Sequence, residues 1–260
     1  MKKIYVVVTL AAVLTGATLL LQRTVHVAAA PPAGIKNVVL VHGAFADGSG
    51  WEAVFNILTK DGYTVSVVQQ PETSFAEDVK FATAMIDRQS GPVVLVGHSY
   101  GGAVITEAGN DPKVAALVYI SAFALDTGES SATIEQALPP AGKGVKETAD
   151  GYFYIDPPSF HSDFIADVPE AKAAFMAQSQ VLFSADSFTT PVKTPAWKSK
   201  PVWYLVATSD HSINPDQERM MAKRAHATTI EVNSSHAAYI SHPKETAKLI
   251  EDAATTAPVH

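Results

Sequence analysis

The 260-residue sequence predicts an α/β protein, a mostly parallel sheet of about six strands with helices on both faces and one long insertion. Three observations carry this. Short runs of branched apolar residues alternate with segments of helical period. The runs are apolar on both faces, as strands covered by helices on either side must be. The alternation stops once, between Phe123 and Lys200, and then resumes.

The first strand is "NVVLVHG" (37–43), running into a glycine-containing loop. "SGWEAVFNILTKDG" follows as a helix, with Ser49 and Glu52 at capping-box spacing and Asp61-Gly62 as its stop. "YTVSVVQ" (63–69) is the second strand. In "SFAEDVKFATAMIDRQ", Ser74 and Glu77 again have capping-box spacing, and Phe75, Val79, Ala82 and Ile86 fall on one helical face. "PVVLVG" is the third strand, and "YGGAVITEAGN" a short helix ending at Gly109-Asn110. "KVAALVYISAF", "PVWYLVATSD" and "ATTIEVNS" are the fourth to sixth strands. The helical "DQERMMAKRAH" separates the last two, and a final helix lies near "PKETAKLIEDAA".

The hydrophobic fraction, 47%, suffices for one domain with a sizeable core. Residues 1–30 read separately: Lys2 and Lys3, an apolar run from Ile4 to Leu21 and an Ala-rich finish form the layout of an export signal peptide. If it stays uncleaved, the same segment is an N-terminal membrane anchor, the one route to a membrane. Either way the domain is expected to be exported, periplasmic or secreted. Losing Lys2, Lys3 and Arg23 takes the formal charge from -7 to -10, which disfavours nucleic acid as a partner. The chain has no cysteine, so disulfides, thiol chemistry and cysteine metal sites are excluded.

The core is expected to comprise 31–122 and 200–260, with 123–199 inserted as a cap or lid over the active-site edge. Its aromatic residues (Tyr152, Phe153, Tyr154, Phe160, Phe164 and Trp197) suit a pocket lining. Phe45, His98, Phe123 and Trp197 are the candidate pocket residues.

"GHSYG" (97–101) matches G-x-S-x-G between a strand and a helix, the context a nucleophile elbow requires. Ser99 is the nucleophile this predicts. Its neighbours two positions away must be nearly free of side chains, and Gly97 and Gly101 are. The partners should follow in the order Ser, Asp, His, each at a strand end. Asp210 closes "PVWYLVATSD" and His236 follows "IEVNSS". His236 would take the Ser99 proton as general base, and Asp210 would fix its tautomer and stabilise its cation.

Asp126, soon after the fourth strand, is a second possible acid. His211 comes too early in the chain to be the base, His242 reads as a cap or surface residue, and His98 as a packing or site-lining one. The N–H of Tyr100 supplies one oxyanion donor. The other comes from "HGAFADGSGW", from Ala44 or else Phe45, with His42 tying the loop down.

Together "VHGAFADGSGW", "VGHSYGG", "YLVATSD" and "SSHAAYISHPKE" resemble the α/β-hydrolase superfamily over about residues 35 to 255. They are most similar to its small bacterial esterase-like branch, akin to plant methyl esterases and hydroxynitrile lyases. The resemblance implies a serine hydrolase with a capped pocket and no metal or cofactor. The lyases carry a threonine where Gly43 stands and a lysine where Ala237 stands, so the esterase side is favoured. Related dehalogenases and epoxide hydrolases use aspartate at the position of Ser99.

Dinucleotide and P-loop motifs are absent, as is H-E-x-x-H, and the histidines are not spaced as metal ligands. The expected function is cleavage of small to medium apolar esters or lactones by water. The alternative is a small-molecule binding protein or receptor on the same fold. Lyase-type chemistry and perhydrolysis are further side readings of the same site.

Overall fold

The computed structural model describes residues 34–257. The N-terminal export segment read from residues 1–30 lies outside them. Among the described residues no helix is long and apolar enough to cross a membrane.

The first half of the chain is strictly alternating: β1 (Asn37–Val41), α1 (Glu52–Lys60), β2 (Thr64–Val67), α2 (Phe75–Asp87), β3 (Val93–Ser99), α3 (Tyr100–Ala108) and β4 (Val114–Ala122). The insertion then contributes α4 (Ser131–Ala137), β5 (Val145–Glu147), β6 (Tyr152–Ile155), α5 (Pro157–Phe164), α6 (Glu170–Gln178), β7 (Phe183–Ser184) and α7 (Ala185–Thr189). The core resumes with β8 (Val202–Ala207), α8 (Pro215–Arg224), β9 (Thr228–Val232), α9 (Ala238–Ser241) and α10 (Pro243–Thr256). All six expected strands form one sheet in the order β2-β1-β3-β4-β8-β9, with every neighbouring pair parallel.

Alternation along these strands divides the core in two. Val39, Val41, Val93, Leu95, Leu117 and Tyr119 face α2, α3 and α8, whose Ile86, Val104 and Met221 are buried there. Val38, Leu40, Val94, Val96, Ala116 and Val118 face α1 and α10, meeting Val54, Leu58 and Ile250. A strand buried on both sides has no polar register to obey, which explains the uninterrupted apolar runs.

One local expectation is corrected. Ser49 and Glu52 do not form a capping box. Asp47 reaches the Ser49 N–H first, at 2.8 Å, and caps a 3₁₀ turn, Gly48–Trp51, from which α1 continues. At α2 half of the expected box forms: Ser74 Oγ accepts from the Glu77 N–H at 3.3 Å, while the Glu77 carboxylate accepts from Lys80 instead.

The insertion carries its own antiparallel sheet, in the order β5-β6-β7. It returns to the core through Trp197, whose ring N–H donates to the Leu125 carbonyl at 2.7 Å.

Candidate active site

The turn between β3 and α3 leaves Ser99 at φ 52°, ψ -124°, a conformation a side-chain-bearing residue adopts only under constraint. The constraint is close packing on both sides. A Cβ at Gly97 would lie 2.5 Å from the Gly101 carbonyl oxygen, and one at Gly101 would lie 2.5 Å from that of His42. The elbow thus presses β3, α3 and β1 together and turns Ser99 toward a cavity. The N-terminus of α3 stands directly behind it, a favourable field for developing negative charge.

His236 follows β9 and Asp210 follows β8, and the parallel sheet brings both strand ends to the same edge. The His236 Nδ1–H donates to Asp210 Oδ2 at 2.6 Å, with both side chains buried. The other Asp210 oxygen accepts from the N–H groups of Ser212 (2.6 Å) and Ile213 (2.9 Å), so the carboxylate is held in place. His236 Nε2, on the opposite edge of the ring, is buried and has no partner among the described residues. Ser99 and His236 line the same cavity. Asp126, the other possible acid, lies elsewhere and pairs with Lys198, which holds its carboxyl below the usual range.

Two carboxyls near Asp210 carry no obvious signal in the sequence. Glu218 of α8 is fully buried and accepts from the Ala207 N–H at 3.1 Å. Burial, and then the charge of Asp210, pushes its carboxyl well above the carboxylate range. The same two causes, in the same order, push Glu135 of α4 up to about 8. Both neighbours are therefore predominantly neutral acids at pH 7.

His98 lies outside the cavity lining. It is fully buried, and its Nε2–H donates to the His236 carbonyl at 3.1 Å, anchoring the loop that carries the histidine. Burial, with His236 beside it, keeps its ring neutral.

Ala44 and Phe45 both line the cavity beside Ser99 and Tyr100, and Phe45 has φ 64°. The loop is tied down from beneath: His42 Nδ1 lies 3.0 Å from the Gly43 carbonyl oxygen, and Gln70 Nε2–H donates to the His42 carbonyl at 2.6 Å. Below them His42 and Glu72 approach to 3.4 Å, both buried. They do not form an ion pair, because burial holds His42 down at about 4 and Glu72 well above the carboxylate range. Each is neutral.

The cavity has a volume of about 350 Å³. Phe45, Phe123, Phe153, Phe164, Phe183 and Phe188 line it, all but Phe45 from the insertion at 123–199. Phe45 and Phe123 are thus where the sequence expects them. Trp197 is not in the lining, because its ring is drawn to Leu125 at the base of the insertion. His211 reaches the rim, with its Nδ1 3.0 Å from the Ser162 carbonyl oxygen. His242 lies at the start of α10, 3.8 Å from Asp167.

A parallel sheet covered on both faces, with a strained serine turn and a buried His–Asp pair at one edge, defines the α/β-hydrolase class. The alpha/beta hydrolase family profile matches residues 38–249, and the chain belongs to that family. It is 26% identical over 241 residues to the alpha/beta hydrolase nvfD of Aspergillus novofumigatus, covering 84% of this chain and 96% of the relative. It is 38% identical over 122 residues to a carbendazim hydrolyzing esterase of Nocardioides sp., covering 41% of this chain and 50% of that protein. The crystal structure of a pyrethroid hydrolase from Sphingobium faniae superposes with a TM-score of 0.72 at 23% identity, over 85% of this chain and 98% of the other. That last likeness is one of fold. The family and its hydrolytic relatives make this chain a hydrolase.

Proposed function

We propose that the protein is a serine hydrolase that cleaves carboxylic esters through an acyl-enzyme. The observation that carries this is the 2.6 Å His236–Asp210 contact, which leaves the buried His236 Nε2 unpartnered in the cavity that Ser99 enters. Ser99 Oγ attacks the acyl carbon as His236 Nε2 accepts its proton. The Ala44 and Tyr100 N–H groups stabilise the oxyanion. The alkoxide leaves with the proton from His236. Water, deprotonated in turn by His236, then releases the acid and restores Ser99.

The phenylalanine lining and the cavity volume suit small to medium apolar esters or lactones. Residues 123–199 act as the cap, and residues 1–30 direct export. Gly43 supports esterolysis over lyase chemistry: a Cβ there would lie 2.6 Å from Ser99 Cβ and 2.9 Å from His98 Nδ1. A threonine cannot enter that space without moving the nucleophile.

Rapid mixing with p-nitrophenyl butyrate tests the reading. The expected result is a stoichiometric burst of p-nitrophenol followed by a slower steady rate. Hydrolysis by Ser99→Ala at the wild-type rate would remove Ser99 from the mechanism.

A further inference from the structure

Two polar side chains of α4 line the aromatic cavity, and neither has a partner among the described residues. Ser131 and Glu135 are four residues apart, hence on one face of the helix, and both line the cavity. Ser131 is 2% exposed, and its hydroxyl makes no hydrogen bond among the described residues. Glu135 is partly buried, and no hydrogen bond or ion pair engages its carboxyl among the described residues.

Asp163, Lys143 and Ser212, which also line the cavity, are already engaged. Asp163 accepts from the N–H groups of Lys143 (3.0 Å) and Gly144 (2.9 Å). Lys143 Nζ donates to the Pro140 carbonyl at 2.9 Å, and Ser212 Oγ to that of Asp163 at 2.8 Å. Nor is α4 free to turn its polar face away. Ser130 and Thr133 close a capping box at its start, and Gln217 of α8 donates to the Ile134 carbonyl.

A buried hydroxyl left unmatched beside phenylalanine rings costs free energy unless something fills it, and the partly buried Glu135 carboxyl stands on the same face of the helix. We infer that Ser131 and Glu135 form a polar subsite that selects esters whose non-reacting part carries a neutral hydroxyl or amide N–H on an aromatic frame. This rests on reading the cavity as an ester-cleaving site. The lining phenylalanines supply the surface for the ring, and the α4 pair meets its donor. A neutral partner fits better than a cation, since the carboxyl of Glu135 is itself largely neutral at pH 7. It accepts through one oxygen and donates through the other.

The test uses Ser99→Ala protein, which should hold an ester uncleaved, and calorimetric titration with four probes. These are the 3- and 4-hydroxy and the 3- and 4-methyl forms of methyl phenylacetate. Hydroxyl and methyl are close in size, and a purely apolar pocket prefers methyl. The expected result is that one hydroxy isomer binds about tenfold tighter than its methyl counterpart, the ratio one net hydrogen bond produces. That ratio should fall toward one in Glu135→Leu and, separately, in Ser131→Ala. Methyl probes binding as well as or better than hydroxy probes at both positions would overturn the inference. So would a hydroxy preference that survives both substitutions. Failure of the ester-hydrolase reading would show elsewhere, as wild-type hydrolysis that does not depend on Ser99.

Discussion

The hydroxyl of Tyr100 donates to Asp78 Oδ2 across 2.6 Å, and that same oxygen accepts from Ser187 Oγ of the insertion at 3.0 Å. The residue proposed to offer its N–H to the oxyanion is thus held by its own side chain from α2, and the insertion is fastened to the same point. Asp78 Oδ1 is engaged as well, accepting from the Glu72 N–H at 2.8 Å. Tyr100→Phe removes one donor from this buried carboxyl. We expect a loss of about 1–3 kcal/mol in urea unfolding. A change below a few tenths of a kcal/mol would mean that the contact contributes nothing.

Asp210→Asn should keep the fold and lower kcat by about 10⁴-fold, because an amide can hold His236 in the wrong tautomer and cannot stabilise its cation. Asp126→Asn should leave kcat near wild type, since Asp126 pairs with Lys198 at the surface and does not touch His236. Steady-state rates on p-nitrophenyl butyrate separate the two. The reverse pattern would exchange the acids.

Stability should fall as pH rises above neutrality. Glu72, Glu218 and Glu135 have folded pKa values raised above the unfolded one, Glu135 to about 8. The native state therefore holds protons that the unfolded chain has released, and stability drops with pH up to each folded value. His42, at about 4 in the fold against 6.5 when free, acts oppositely, and so does His98. The unfolded state binds protons there below about pH 6.5, so stability is lost on acidification. Between pH 6.5 and 8 the histidine contribution fades and the three carboxyls outweigh it. Thermal unfolding should give a Tm that declines over that window, and less steeply in Glu72→Gln. A Tm rising from pH 6.5 to 8 would show these carboxyls to be ionised in the fold.

Gly43→Ala adds one methyl where the nearest atom, Ser99 Cβ, is 2.6 Å away. Either the loop after β1 or Ser99 must shift, and on the proposed mechanism kcat/KM should fall at least about 100-fold. Retained activity with a retained melting temperature would show the loop to be pliant.

The fold was readable because the four central strands, β1, β3, β4 and β8, are buried on both faces, a pattern no surface segment imitates. The elbow was readable because Gly97 and Gly101 are forced by contacts within a few residues and one neighbouring strand. The cap of α1 was misread because Asp47, two residues ahead of Ser49, competes for the same N–H. Glu218 and Glu135 were invisible for a different reason. In "DQERMM" and "SATIEQA" they look like solvated positions, and only the docking of α8 and α4 against the edge carrying Asp210 buries them. His98 and Trp197 were placed near the pocket by sequence, but hydrogen bonds to the carbonyls of His236 and Leu125 commit their rings elsewhere.

The most direct test of the central claim is covalent labelling of the full chain with a fluorophosphonate, located by peptide mass spectrometry. The account predicts one label per molecule, on Ser99, lost in His236→Ala. A label on another serine, or no label on protein shown by circular dichroism to be folded, would contradict it.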